Sequence, residues 1–390
     1  MILPGEAYTI VMENAPPPVP ETIGFTGSQG RVLAVDVISD ISMPPFDKSA
    51  MDGFACRKED IAGELEIIET IPAGKAPEKT LQKNQCSRIM TGAMIPKAAD
   101  CVLKIEETET LPGGKIRFTG KNTKPNICYR GEDVEKGDTV LYAGTVIKPQ
   151  HIAVLASVGT VSVEVYKRPV VGILSTGDEI VEPDKKPGIS QIRNSNAYQL
   201  AAQVERAGGI ANYMGIVEDS EEATYQAIVK ALKENDLVLL TGGVSMGDFD
   251  FVPKILEKAG VRILFGSIAV QPGKPTTFGM FENKPVFGLP GNPVSSYIQF
   301  ELLVKPMICE MTGCDYIPQA ILLPMGTDYD RKHTEREAWI PVRIIDGKIF
   351  PVQYHGSAHI HALQDADGII AIPIGKKGHI KGEIVHVRQI

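Results

Sequence analysis

Between Pro169 and Leu240 the chain alternates unbroken apolar runs with amphipathic helical stretches, a pattern that few folds accept. Pro169 to Leu174 and Leu237 to Leu240 read as strands without a polar face, so both sides of their sheet must be covered. Asn194 to Ala207, with Leu200, Val204 and Ala207 on one stripe, and Glu221 to Lys233 supply the covering helices. Strands fed by helices of this length form βαβ units with a parallel sheet. Ligands of such sheets bind beyond the carboxyl ends of the strands. That rule selects two loops, Ser175-Thr176-Gly177-Asp178-Glu179 and Thr241-Gly242-Gly243-Val244-Ser245.

The flanking sequence behaves differently, and 390 residues exceed the usual domain of about 100–200. A helix is expected from Glu6 to Asn14, stopped by the prolines at 16 to 18, which lack the amide a helix interior needs. Arg31 to Ile38 reads as a strand. From Phe46 to Lys148 short β-branched runs are broken by Gly and Pro, the mark of an all-β unit. Val294 to Met311 reads as one long helix, kinked at Pro306 and stopped at Gly313. Ala338 to Ile344, Ile369 to Ile372 and Glu383 to Val387 then return to strands, forming a second β unit.

Forty Lys and Arg against 48 Asp and Glu give a net charge of −8, the wrong sign for a general nucleic-acid or anionic-membrane binder. No stretch reaches the roughly 18 apolar residues of a membrane span, and the amino terminus lacks a leader pattern, so a cytoplasmic protein is expected. The six cysteines show no Cys-x-x-Cys pair and read as reduced, packed thiols. His355, His359 and His361 crowd one stretch. At alternate strand positions two would share a face, but they read as exposed polar residues.

Four stretches carry more Gly, Pro, Asp and hydroxyl residues than packing requires. Pro44 to Phe54 sets Asp47, Lys48 and Asp52 before Gly53, a glycine free to take positive φ; as a capped turn it is equally well explained. In the strand-end loops, the amides at Gly242-Gly243 are suited to phosphate, and Asp248 and Asp250 behind them to a hard divalent cation such as magnesium. Gln271 to Thr277 holds Lys274 between prolines, a rigid cation for an oxyanion or a solvated loop lysine. Gly288 to Ser296 runs from a strand into the long helix, whose first amides and positive dipole end face an anion.

These stretches in this order, with Arg88-Ile89-Met90-Thr91-Gly92-Ala93, Arg130-Gly131-Glu132-Asp133 and Asn194-Ser195-Asn196, resemble the molybdopterin molybdenumtransferase family, which includes the carboxyl-terminal domain of gephyrin. The resemblance spans nearly the whole chain. It implies an α/β plus β subunit of L shape in four parts: a helical and extended part (1–44 and 144–168), an inserted β domain (45–143), a molybdopterin-binding α/β domain (169–313) and a carboxyl-terminal β-barrel (314–390). It further implies a homodimer whose cleft lies between the α/β domain of one subunit and the inserted β domain of the other. The reaction it implies takes molybdate and adenylylated molybdopterin, needs a divalent cation, and releases AMP and molybdenum cofactor.

Carried over by position, the resemblance implies catalytic roles for Asp52, Thr91 and Asp133 from the β domain and for Glu179, Asp219 and Asp250 from the α/β domain. Asp250 and Asp248 would hold the metal. Ser175, Thr176, Gly242, Gly243, Ser245 and Asn292 would line the pterin site. Lys274, Pro275 and Ser295 would surround molybdate, with Ser357 and Arg336 offered by the barrel. Cys128, Ser267 and Gln271 stand where relatives often carry cations, which weakens anion attraction. A molybdopterin adenylyltransferase is the implied donor of the pterin. Three other readings compete. An adenylyltransferase-like enzyme is disfavoured by Gly242-Gly243-Val244-Ser245 in place of Gly-Gly-Thr-Gly, and a gephyrin-like scaffold by the lack of a fused domain; a tungstate-inserting homologue is not distinguished.

Overall fold

The structure, a computed structural model, describes residues 1–243, 252–318, 320–353 and 356–390. Its central sheet has six strands in the order Ile210–Val217, Val170–Thr176, Leu237–Thr241, Lys284–Leu289, Thr277–Phe281 and Arg262–Phe265. The first four are parallel, as the apolar runs predict. Thr277–Phe281 is antiparallel to both of its neighbours, so the sheet is mixed at that edge.

Alternation along the strands divides two cores. Val171, Ile173, Leu237 and Leu239 face one side, under the helix Asn196–Arg206 and the helical run that begins at Pro293. Leu174, Val238 and Leu240 face the other, under the helices Glu221–Glu234 and Val252–Lys258. A strand buried on both faces has no position for a polar side chain, hence the unbroken apolar runs. The amino-terminal helix Pro4–Glu13 joins the first core through Ala7 and Val11.

The long helix forms as three continuous pieces: Pro293–Gln299, a π-helical turn Phe300–Val304, and Lys305–Met311. Pro306 explains the π turn, because its ring removes one amide and crowds the carbonyl four residues earlier. Gly313 takes φ +68° and ends the run.

The inserted β unit orders its strands Cys101–Lys104, Gly53–Cys56, Gln85–Ile89, Glu64–Ile71, Lys115–Phe118 and Thr108–Leu111. Only short 3-10 turns interrupt it, Lys58–Asp60 and Ile105–Glu107. Gly53 does not need positive φ as expected; a Cβ there would lie 1.8 Å from the Leu103 carbonyl oxygen, so close strand approach fixes it. The strand expected from Arg31 to Ile38 shrinks to Val37–Ile38. Val32 bridges Val146 while Leu33 bridges Val165, and a chain that changes partner at each residue cannot propagate a ladder.

At the carboxyl end Ala320–Pro324, Ile384–Gln389, Gly368–Ile372, Glu337–Ile345 and Lys348–Pro351 pair in that order, and a Met325–Ile349 bridge closes the ring into a barrel. Val270–Gln271 of the α/β unit pairs in parallel with Glu337–Ala338 and so ties the barrel to the central unit. Among the described residues no helix is long and apolar enough to cross a membrane.

Candidate active site

The sheet reverses its order beside Val170–Thr176. From that strand the chain builds Ile210–Val217 on one side, then Leu237–Thr241 on the other. A reversal of this kind opens a crevice at the carboxyl ends of the two strands. Here it is a cleft of about 800 Å³ lined by Thr176, Glu179, Gly242, Gly243, Pro275 and Asn292, with Ala358 and His361 of the barrel unit on its rim.

Packing as well as backbone conformation demands the glycine pair. Gly242 has φ +96°, and a Cβ would sit 2.3 Å from the Thr176 carbonyl oxygen. At Gly243, φ +60°, a Cβ would meet the Thr176 hydroxyl and Val252 Cγ2, each at 2.9 Å. The loops after the two strands are thereby pressed together. The Thr176 hydroxyl between them is buried and has no hydrogen-bond partner among the described residues.

Asn194 and Asn196 stitch these loops to the helix that follows. Asn194 donates to the Ser175 hydroxyl (3.1 Å) and to the Tyr213 hydroxyl (2.9 Å), and its Oδ1 accepts the Ala197 amide at 3.2 Å. That last bond satisfies an otherwise free amide in the first turn of the helix, which begins at Asn196 after its N-cap Ser195 rather than at Asn194. Asn196 donates to the Thr241 hydroxyl and to the Gly291 carbonyl, both at 2.8 Å. Ser175 is consequently fully buried behind the cleft rather than on its surface.

The acids divide into separate groups. Glu179 is exposed in the cleft, its carboxylate folded over Gly177, where a Cβ would lie 2.4 Å from it. Asp219 lies two residues beyond the end of the neighbouring strand, and its amide donates to Asp178 at 3.0 Å. In the β unit the Thr91 amide and hydroxyl donate to one oxygen of Asp52, at 2.7 and 3.0 Å. Those two bonds, the amide's foremost, hold the Asp52 carboxyl below its ordinary range. Asp133 is exposed in a nearby turn, its amide donating to Met43 at 3.1 Å. Asp52, Thr91 and Asp133 do not line the cleft of their own chain.

Of the residues expected around an oxyanion, Pro275 lines the cleft, while Lys274, Ser295, Ser357 and Arg336 are not among its lining. Lys274 is exposed on a loop pinned on both sides: Gln299 donates to Pro272 at 3.2 Å, and the Thr276 hydroxyl donates to Gly273 at 2.8 Å. Ser295, only 3% exposed, sits in the first turn of the helix that begins at Pro293. The expectation of free amides there is corrected at Val294, whose amide donates to the Ser357 carbonyl at 3.1 Å. Beside it Asn292 donates to the Ser357 hydroxyl at 2.8 Å. Arg336 donates to the Val270 carbonyl at 3.3 Å, at the start of the lysine loop.

Ser245, Asp248, Asp250 and His355 lie outside the described residues. Among those described, no group of three or more His, Cys, Asp or Glu side chains is gathered to hold a metal. His361 lies in a 3-10 turn, Ile360–Leu363, so the alternate-strand arrangement of the histidines does not form.

Residues 3–159 match the model of the MoeA N-terminal region (domain I and II), residues 172–310 that of a probable molybdopterin binding domain, and residues 325–390 that of the MoeA C-terminal region (domain IV). Molybdopterin molybdenumtransferase of Bacillus subtilis is 38% identical over 388 residues, covering 95% of this chain and 90% of its own. The chain belongs to the molybdopterin molybdenumtransferase family. A second member of this family of enzymes, from Staphylococcus epidermidis, is 37% identical over 383 residues, 94% of this chain and 90% of its own. The molybdopterin biosynthesis MoeA protein from Pyrococcus horikoshii superposes with a TM-score of 0.88 at 31% identity, covering 100% of this chain and 99% of that one.

Sequence reasoning passed over Asn194, Asn196 and Tyr213 as site residues. Asn194 and Asn196 figured only within a stretch shared with the family, and as a polar pair opening an apolar-striped helix they read by themselves as a cap, while Tyr213 carried no signal.

Proposed function

We propose that this enzyme inserts molybdate into adenylylated molybdopterin, releasing AMP and completing the molybdenum cofactor. The observation that carries this reading is the meeting of four elements at one cleft: the glycine loop, the lysine loop, the helix start at Asn292 to Ser295, and Ser357 of the barrel unit. In it the glycine loop, which leaves no side chain between backbone and ligand, approaches phosphate oxygens of the pterin nucleotide. Lys274, Ser295 and Ser357 bind molybdate, a tetrahedral dianion, with Arg336 adding charge from the barrel. Glu179 and Asp219 orient the nucleotide at the same strand ends.

Asp52, Thr91 and Asp133 face outward on a separate unit, which supports a homodimer in which each cleft is completed by the partner's β unit. The described acids do not themselves build a cation site, so the proposed magnesium requirement rests on Asp248 and Asp250. A cytoplasmic setting, with a molybdopterin adenylyltransferase as donor of the pterin, completes the reading.

The test is AMP release from adenylylated molybdopterin by the purified protein, with and without molybdate and with and without chelator. Molybdate-dependent release that stops in chelator is expected. Release indifferent to molybdate would overturn the assignment, and an equal response to tungstate would broaden the oxyanion.

A further inference from the structure

Where the helical run that begins at Pro293 ends, the chain folds back on itself in a Schellman turn. Gly313, at φ +68°, donates its amide to Glu310 at 2.9 Å, and the Cys314 amide donates to the Cys309 carbonyl at 2.9 Å. This pair of bonds brings together the side chains at the two ends of the turn, positions that usually hold an apolar contact. Here both are cysteines. The Cys309 thiol is buried and the Cys314 thiol half-buried, the latter donating to the Asp315 carbonyl at 3.9 Å. No side chain fits at Gly313, where a Cβ would lie 2.2 Å from the Tyr166 ring, so the turn cannot relax.

The two thiols line a cavity of about 410 Å³ at the base of the α/β unit, which Arg206 and Lys305 also line. Arg206 and Lys305 are engaged by the buried Glu301 carboxylate, Lys305 at 2.9 Å, and the other two cations of the lining, Arg31 and Arg168, by Glu21 and Glu205, which argues against an anion site and leaves the thiols as the reactive groups.

We propose that Cys309 and Cys314 form a redox-active dithiol that hydrogen peroxide oxidises to an intramolecular disulfide where the chain passes from the α/β unit to the barrel. Cys314, the more exposed of the two, is the attacking sulfur, and the neighbouring Cys309 thiol, opposed by burial, brings its thiol down to about 7, so thiolate is present near neutrality. That thiolate attacks one peroxide oxygen, the O–O bond breaks, and the departing hydroxide takes a proton to become water. The resulting sulfenic acid is attacked by Cys309, which loses its proton as the S–O bond breaks and a second water leaves. Two thiols are oxidised and one peroxide is reduced. The Cys56 and Cys101 sulfurs, 3.6 Å apart, are also paired, but both residues are fully buried in the β unit and out of reach of peroxide. Burial and Glu132 push the Cys128 thiol up, which makes it the internal control.

The experiment treats the full chain with hydrogen peroxide, alkylates remaining thiols and maps peptides by mass. The expected product carries unalkylated Cys309 and Cys314 in a peptide lighter by two hydrogens, restored by dithiothreitol, while Cys128 remains alkylated. In Cys309→Ser, dimedone should label Cys314; in Cys314→Ser, Cys309 should stay a thiol. Oxidation of Cys128 ahead of the pair, or dimedone on Cys309, would overturn the proposal. Should either variant misfold, the wild-type peptide decides alone.

Discussion

Asn292 donates its side-chain amide to the Ser357 hydroxyl at 2.8 Å, joining the start of a helix in the α/β unit to the barrel unit. The neighbouring bond, Val294 amide to Ser357 carbonyl, is backbone and survives side-chain changes. Ser357→Ala therefore keeps the contact between units and removes one hydroxyl. A neutral hydrogen bond is worth about 1 kcal/mol, so the molybdate requirement should rise about fivefold. AMP release against molybdate concentration measures it, and an unchanged curve would place the oxyanion away from Ser357.

Lys274 presents the formal charge on a loop stiffened by two bonds to its neighbours. Lys274→Ala should raise the molybdate requirement about tenfold to a hundredfold while adenylylated pterin still binds, the loss typical of a charge-assisted contact. Calorimetric titration with the pterin nucleotide separates the two effects. Equal weakening of both ligands would show that the lysine serves the nucleotide.

Asp52 and Asp250 belong to different units of the chain. If each cleft draws Asp52 from the partner, Asp52→Ala and Asp250→Ala homodimers are each inactive. A mixed dimer then has one doubly damaged cleft and one intact cleft, and should recover about half the wild-type activity under two-fold symmetry. Co-expression with two affinity tags isolates it. An assembled but inactive heterodimer would mean that the site is built within one chain.

In the barrel unit, Glu383 accepts from Lys376 and lies 2.9 Å from His379 Nδ1. The lysine bond foremost, opposed by some burial, takes its carboxyl down to about 2 from an ordinary 4.5. A carboxyl lowered on folding stabilises above its unfolded value and loses that contribution as pH falls from 4.5 toward 2. With the side chain 29% exposed, solvent screening reduces the effect to about 1 kcal/mol. Glu383→Gln should thus unfold at lower urea than wild type at pH 7, the gap closing as the pH falls through that window. A gap that persists at the acid end would assign the loss to packing.

The sequence by itself determined the central α/β unit, because strands buried on both faces must be apolar at every position. Val170–Thr176 and Leu237–Thr241 were therefore legible as strands, and their carboxyl ends as the place of a ligand. Gly242 and Gly243 were legible as a loop for a ligand to approach, but that no side chain fits there because one loop presses on the other is a tertiary fact. What the tertiary structure alone decided were relationships between residues distant along the chain. No local pattern says that Ser357 would take the Val294 amide, or that Val270–Gln271 would pair with the barrel's Glu337–Ala338. Arg31 to Ile38 failed as a strand because its partners change between Val32 and Leu33. Gly53 was marked by its neighbours but explained by a carbonyl fifty residues on. Periodicity records which face of an element is buried, whereas pairing and capping depend on which other segment arrives to bury it.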